Sequence, residues 1–357
     1  MKHRFFYLLL INEIISNVTL YCPYILIGQL YDGTLIAIFA AFIISIVKIY
    51  FFLHVYNYFK SKTLTEINQI LFRKFWGNFF SYTYVLICLA IGFFMYKGLV
   101  EIVKTFMLTT SSLWLISIIL IIIPFVVFKN TSNTFLHTVS FTALIMVIGI
   151  ISQVLLITGE IKQDFLIGSL VHSVRLPNYI TIATAGFFFS GVYHLSLFNP
   201  EFKRISYKKT ILLIGVVGLC TAFISVYIPV SIWGPEAAQK LTFPWVSTAD
   251  TVSINLFVIE RALYLMMPLF FLLSLSNTLI YSFVCYGLFT KLHPSPKLNK
   301  YIKLVICIVF VAGSIMIPNT KTVFQIAPIV MITWNMFHLL LSVLLYIRTK
   351  GKELYAK

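Results

Sequence analysis

Glu13 is the first ionisable side chain with a potential chemical role, because it lies inside a long apolar run near the N-terminus. An acidic residue at such a position is costly within a membrane and therefore marks a candidate functional site. Its carboxylate could coordinate a cation or an ammonium group. Alternatively, it is protonated and hydrogen-bonded to its neighbours. The sequence leaves both interpretations open.

Lys97, Glu101 and Lys104 form a second charged group, since their spacing of i, i+4 and i+7 puts them on one face of a helix. Glu101 can neutralise either lysine. We favour a structural ion cluster near the outer end of that helix, and the alternative is the charged wall of a ligand or ion path. Glu260 and Arg261 stand at the head of a later apolar run, where charge-assisted bonds would hold an outer loop to the helix and could gate access.

Two apolar runs, near 5–27 and 179–198, carry small and polar residues that predict broken helices. Ser, Thr and Asn compete with helical backbone bonding, and Gly lowers helix stability. A broken helix in a membrane exposes N–H and C=O groups that can bind a carboxylate, an ammonium group or an ion. Close helix packing explains any one of these residues alone, but their occurrence in both runs favours breaks. The ligand-binding positions that we predict at and beside the breaks are Glu13, Ser16, Asn17, Val18, Thr19, Phe189, Ser190, Gly191 and Tyr193.

The sequence contains none of the short motifs that indicate an enzyme. It has no Gly-rich phosphate loop, no GxSxG elbow and no HExxH pair. Its seven histidines are scattered without the spacing of a metal site. We therefore predict no catalytic residue, no metal and no cofactor.

The composition explains why these polar groups must sit in helices. Of 357 residues, 60% are hydrophobic and only 11% are charged. A soluble globule could not cover so much apolar surface, and the same figures exclude a disordered chain. Five cysteines in this length do not form a disulfide framework. The chain is therefore predicted to be an integral membrane protein of the all-α class, because lipid offers no partners to exposed backbone groups.

Apolar runs of about 20 residues, the length of a membrane-spanning helix, predict ten spans. They lie near 5–27, 34–59, 79–107, 112–128, 136–158, 179–198, 210–232, 257–289, 302–317 and 325–347. Ten spans divide into five plus five, and an odd number in each half is typical of an inverted repeat in a transporter-like fold. We expect one polytopic membrane domain over 1–357, with repeat one near 1–158, repeat two near 179–347, and breaks in the first and sixth helices.

The net charge of +16 is interpreted through membrane topology rather than nucleic-acid binding. With the N-terminus inside, most of the 27 lysines and arginines fall in the inner loops and termini. The outer loops carry only Lys162, Arg175, Lys240 and Lys321. This asymmetry predicts that both termini are cytoplasmic. No nucleic-acid partner is expected.

Several short motifs, taken together, resemble the spore germination permease family, the B subunits of nutrient germinant receptors within the amino acid–polyamine–organocation transporter superfamily. On the outer side they are Gly234-Pro235-Glu236, Leu241-Thr242-Phe243-Pro244-Trp245 and Ile259-Glu260-Arg261. On the inner side they are Thr63-Leu64, Glu66, Lys74, Trp76-Gly77 and Phe198-Asn199-Pro200-Glu201. The order and spacing of these motifs extend the resemblance over nearly the whole chain.

The resemblance implies a protein of the spore inner membrane that senses amino acids or similar nutrients, with a larger A subunit and a lipoprotein C subunit as partners. Three departures are visible. The family's Gly-x-Gly break in the first span falls here at Ser16-Asn17-Val18, and an acidic residue of the sixth-span break is replaced near Tyr193 and His194. Leu263 stands where a second acid often follows Glu260-Arg261. These departures imply a changed ligand specificity or a degenerate site.

Three functions are consistent with these observations. The first is a receptor subunit that binds a small nutrient in a pocket between spans one, three, six and eight. The second is a secondary transporter that moves amino acids with H⁺ or Na⁺. The third is an assembly subunit whose pocket is vestigial.

Overall fold

Fifteen α-helices and one short β-hairpin are found in residues 3–256, 259–317 and 319–355, which the computed structural model describes. The helices are α1 (His3–Ser16), α2 (Tyr21–Gly28), α3 (Thr34–Tyr58), α4 (Leu64–Ile102), α5 (Leu113–Val127), α6 (Ser132–Ile157), α7 (Gln163–His172), α8 (Tyr179–Ala185), α9 (Leu195–Phe198), α10 (Tyr207–Trp233), α11 (Pro235–Ala238), α12 (Pro244–Asp250), α13 (Ala262–Leu292), α14 (Pro296–Met316) and α15 (Thr320–Tyr355). The hairpin consists of β1 (Ser253–Leu256) and β2 (Ile259–Arg261), which pair antiparallel.

Seven of the described helices are long and apolar enough to cross a membrane: α3, α4, α6, α10, α13, α14 and α15. Two bent helix pairs raise the number to nine if each pair is one span. The fourth predicted span corresponds to α5, whose 15 residues are fewer than a typical crossing needs. The chain is therefore a multi-pass, predominantly helical membrane protein.

Burial separates the central helices from the peripheral ones. The apolar windows of α4 and α13 are 72% and 67% buried, whereas those of α6 and α14 are 28% and 22% buried. Helix α13 packs more extensively against α4 than any other described pair. Helices α4 and α13 thus form the centre of the bundle, and α6 and α14 leave most of their apolar surface for lipid.

Helix α4 begins with a short arm that precedes the third predicted span. A capping box starts α4, because the Glu66 Oε2 atom accepts hydrogen bonds of 2.7 Å from both the Thr63 amide and the Thr63 hydroxyl. The helix then turns sharply at Arg73, which has φ +62° and ψ 168°. After the turn its two arms touch, since a Cβ on Gly77 would lie 2.7 Å from the Asn68 carbonyl carbon. Glycine permits this close approach.

The start of the eighth span was predicted wrongly. Helix α13 begins at Ala262, and residues 259–261 belong to the hairpin rather than to the head of a helix. A continuous apolar run fits a strand as well as a helix, which explains the error. The backbone of Glu260 and Arg261 lies in β2, and their side chains lie outside the described part of the chain.

A row of aromatic rings connects the loop before α12 with the start of α2. The ring centroid of Phe243 lies 5.9 Å from that of Phe106 and 5.6 Å from that of Phe324. Phe324 in turn lies 4.8 Å from Tyr21. The first turn of α12 is fixed as well, because the Trp245 indole donates a 2.9 Å hydrogen bond to Gln153 Oε1. These contacts pack the loop before α12 and the first turn of α12 against the bundle, with the row of rings reaching the start of α2 just past the first break.

Replacing Arg73 by glycine is expected to raise the free energy of unfolding by about 1 kcal/mol, because a non-glycine residue in this backbone region is strained. Lys74→Gly is the matched control and should lower stability by about 1 kcal/mol, since Lys74 continues the helix. Thermal unfolding of the purified variants in detergent measures both. Equal losses of stability in the two variants would contradict the strained turn.

Candidate functional site

The first break separates α1 from α2, and the two helices are bent by 48°. Tight turns follow the end of α1. The backbone amide of Asn17 donates to the Ile14 carbonyl at 3.3 Å, and the backbone amide of Val18 donates to the Ile15 carbonyl at 3.1 Å. The Ser16 hydroxyl donates to the Asn12 carbonyl at 2.6 Å, a local bond that competes with continued helix. The break lies where the polar residues of the first span predict it.

The second break lies between Phe189 and Val192. It separates the helical segments Tyr179–Phe189 and Val192–Glu201, which are bent by 63° relative to each other. Ser190 ends the first segment, since its hydroxyl donates to the Phe187 carbonyl at 2.7 Å. Gly191 has φ +93°, a conformation that favours glycine. A Cβ at this position would lie 3.0 Å from Leu10 Cδ2 and 3.6 Å from Glu13 Oε2. The backbone of the second break therefore lies directly against α1.

The carboxylate of Glu13 joins both breaks to α13. Its Oε1 atom accepts hydrogen bonds from the Ser190 hydroxyl at 2.9 Å and the Tyr281 hydroxyl at 2.8 Å. Its Oε2 atom faces Nε2 of His194 in an ion-pair contact. All four side chains are at most 1% exposed. We call Glu13, Ser190, His194 and Tyr281 the Glu13 cluster.

Two asparagines extend this connection between the broken segments and α13. The side-chain amide of Asn17 donates through Nδ2 to the Phe187 carbonyl at 2.9 Å. Its Oδ1 atom accepts from Asn277 Nδ2 at 3.2 Å. Asn12 Oδ1 accepts from the Ser276 hydroxyl at 2.6 Å. The polar face of α13 is therefore paired with the first break.

The other predicted ligand-binding residues have different surroundings. The Thr19 hydroxyl lies 3.4 Å from the Ser274 hydroxyl, and Val18 is buried. The ring of Phe189 packs where a Cβ on Gly218 would meet it at 2.7 Å. Tyr193 stacks on His338 at 3.9 Å between ring centroids, and its carbonyl accepts from the Tyr84 hydroxyl at 2.9 Å. Tyr193 thus belongs to an aromatic cluster beside the Glu13 cluster.

Glu101 pairs with Lys97 and not with Lys104 in the structure. The Lys97 ammonium lies 2.6 Å from Glu101 Oε1 and donates to the Ser314 carbonyl at 3.0 Å. Glu101 Oε2 accepts from the Thr320 hydroxyl at 2.7 Å. Lys104 lies in a short π-helix, and its ammonium instead donates to the carbonyl of Thr109 at 2.6 Å. The ion pair holds α4 against α14 and the start of α15.

Sequence reasoning omitted three important groups from the predicted site: His194, Tyr281 and Asn277. The sequence singles out His194 only as a neighbour of the replaced acidic residue in the sixth span. A signal for α13 was present, because Ser274, Ser276, Asn277 and Thr278 interrupt an otherwise apolar helix.

A small cavity of about 10 Å³ is lined by residues that include Tyr21, Phe94, Phe187 and Met331. The cavity adjoins α2, α4, α15 and the segment that precedes the second break. Separately, no group of three or more His, Cys, Asp or Glu side chains that could hold a metal ion occurs in the part of the chain that the structure describes.

Comparison with known proteins identifies a family. The sequence model of a family described as spore germination protein matches residues 1–323. A search of curated proteins finds no match to this chain.

Proposed function

This chain belongs to the spore germination protein family, and we propose that it is the nutrient-sensing membrane subunit of a germinant receptor. Its ligand is an amino acid or a similar small nutrient. The single observation that supports this proposal best is the Glu13 cluster, which joins two broken helices in the buried centre of the molecule.

The proposed architecture is one polytopic domain over 1–357, with ten spans arranged as an inverted repeat. Repeat one runs near 1–158 and repeat two near 179–347, so that the two bent helix pairs occupy equivalent positions. Both bends and the short apolar helix α5 are compatible with this arrangement. The distribution of basic residues favours cytoplasmic termini, and the family favours the spore inner membrane.

Ligand binding would use the backbone groups that the breaks release from helical bonding. Groups at Ser16–Thr19 and Phe189–Gly191 would contact the carboxylate and ammonium of the nutrient. The cavity beside Tyr21 and Phe187 is small, so a nutrient that enters there has to separate the broken segments. A nutrient that binds the separated state more tightly shifts the population towards it, and the helix movement is passed to the partner subunits. Those partners are an A subunit and a lipoprotein C subunit.

Gly191→Leu is expected to reduce the nutrient response at least about tenfold, because the new side chain meets Leu10 and Glu13 in a backbone conformation that leucine rarely adopts. Val18→Trp should act similarly at the other break. The measurement is the germination rate against nutrient concentration, in a strain where this chain is the only B subunit. Gly168→Leu is the control, since a Cβ at Gly168 meets nothing within 4 Å. An unchanged response of either break variant would overturn the proposed binding position.

A secondary transporter is the second candidate, favoured by the contact between Glu13 and His194 deep in a span. Such a pair can carry a proton between two states of a transporter. Labelled amino acid uptake in proteoliposomes decides this point. Concentrative, gradient-dependent uptake by the isolated chain would favour transport over sensing alone.

An assembly subunit with a vestigial pocket is the third candidate, favoured by the small volume of the cavity beside Tyr21 and Phe187. It predicts that no amino acid in a broad panel changes the thermal stability of the purified chain. A rise in the unfolding temperature with any one of them would exclude it.

A further inference from the structure

Lys48 is a buried lysine outside the nutrient site proposed above. It lies deep inside α3 and is only 2% exposed. Its ammonium donates a 2.8 Å hydrogen bond to Asn335 Oδ1 and lies 5.6 Å from the centre of the Tyr193 ring. Among the described residues, no carboxylate forms an ion pair with it. A cation within a membrane helix is costly without an anion, so this lysine needs an explanation.

Asn335 is held in the orientation that serves the lysine. Its Nδ2 group donates to the Ala183 carbonyl at 2.8 Å and to the Met331 carbonyl at 3.2 Å, which turns Oδ1 towards Lys48. An ammonium group has three donors, and Asn335 uses one of them. Gly186 keeps this space open, because a Cβ there would lie 2.8 Å from Asn335 Oδ1.

A cavity of about 180 Å³ adjoins the lysine between α3, α8 and α15. Lys48 and Asn335 stand at its wall, and most of its remaining lining is apolar, including Ala41, Ile182 and Leu339. A mostly apolar pocket with a few fixed polar groups is the common form of a small-molecule site. A cation beside apolar walls matches a carboxylate with an apolar tail.

We propose that this cavity binds a small apolar monocarboxylate, with its carboxylate on the ammonium of Lys48 and its tail against α8 and α15. An α-amino acid fits less well, because no acidic side chain lines the cavity to receive its ammonium group. Helix α8 leads into the second break, so an occupant touches the segment that precedes Gly191. The proposal does not depend on nutrient sensing, since it concerns a different cavity.

Binding of hexanoate to the purified chain in phosphatidylcholine nanodiscs tests the proposal. Isothermal titration should show saturable binding of hexanoate, and hexanol and hexylamine should bind at least about tenfold more weakly because they lack the anion. Lys48→Met should weaken hexanoate binding by the same factor while keeping an aliphatic stem in place. Ala41→Leu fills the cavity without altering the lysine and should also abolish binding.

Lys104→Met is the matched control, because the described bonds of Lys104 go to loop carbonyls away from the cavity. Its hexanoate affinity should equal that of the unmodified chain. Absence of saturable hexanoate binding overturns the proposal. So does equal binding of hexanoate and hexanol, which would identify a purely apolar cavity. Undiminished binding in Ala41→Leu would place the ligand elsewhere, and this result remains decisive if Lys48→Met fails to fold.

Discussion

Replacing Glu13 by alanine should lower the free energy of unfolding by about 3–5 kcal/mol and abolish the nutrient response. The carboxylate accepts from Ser190 and Tyr281 and faces His194, and all of these groups are buried. Its removal leaves the buried side chains of Tyr281 and His194 without their partner, whereas Ser190 keeps the Phe187 carbonyl. It also removes the side-chain bond between α1 and the second break.

Glu13→Gln separates shape from charge. The amide keeps the volume and one acceptor oxygen for Ser190 and Tyr281, so we expect a smaller loss of stability than in Glu13→Ala. The measurements are the unfolding temperature in detergent and the germination rate of spores carrying each variant. Glu160→Ala is the control, because Glu160 is an exposed carboxylate. A Glu13→Ala protein as stable and as responsive as this control would contradict a role for the cluster.

Glu101→Ala should destabilise the chain by a similar amount, about 3–5 kcal/mol, because it leaves the ammonium of Lys97 buried without its counter-charge. The side chain of Lys97 is 0% exposed and that of Glu101 is 6% exposed. Thr320 also loses the acceptor of its hydroxyl. The expected observation is a large fall in the unfolding temperature.

The double variant Lys97→Met, Glu101→Leu distinguishes a lost ion pair from lost packing. Removing both charges should recover most of the stability, since a buried pair can often be replaced by apolar side chains of similar size. Lys104→Met is the single-site control and should change stability by at most about 1 kcal/mol. If the double variant is no more stable than Glu101→Ala, the pair does not account for the effect. A recovered double variant with a normal nutrient response would favour a structural ion cluster over the wall of an ion path.

The helical fold could be predicted because each span is an apolar run whose length the membrane dictates. The breaks were also predictable, since Ser190 and Gly191 disturb a helix through their own local chemistry. The partners of Glu13 were not, because Ser190 and Tyr281 are distant in the sequence and only tertiary packing brings them together. Similarly, Lys97 and Lys104 are equivalent partners for Glu101 by spacing. The π-helix Val103–Met107 changes the helical register at Lys104, and no simple pattern in the sequence announces it.

The aromatic rings from Phe243 to Tyr21 have a consequence for the timing of the response. If the termini are cytoplasmic, these rings lie on the face where nutrients arrive, and they stand between that face and the first break. If the chain senses a nutrient as proposed, the nutrient enters only when the rings separate, and raising its concentration shortens only the time it needs to reach the protein. The interval before germination should therefore approach a fixed minimum at high nutrient concentration. That minimum interval measures the rate at which the ring of Phe243 separates from its neighbours.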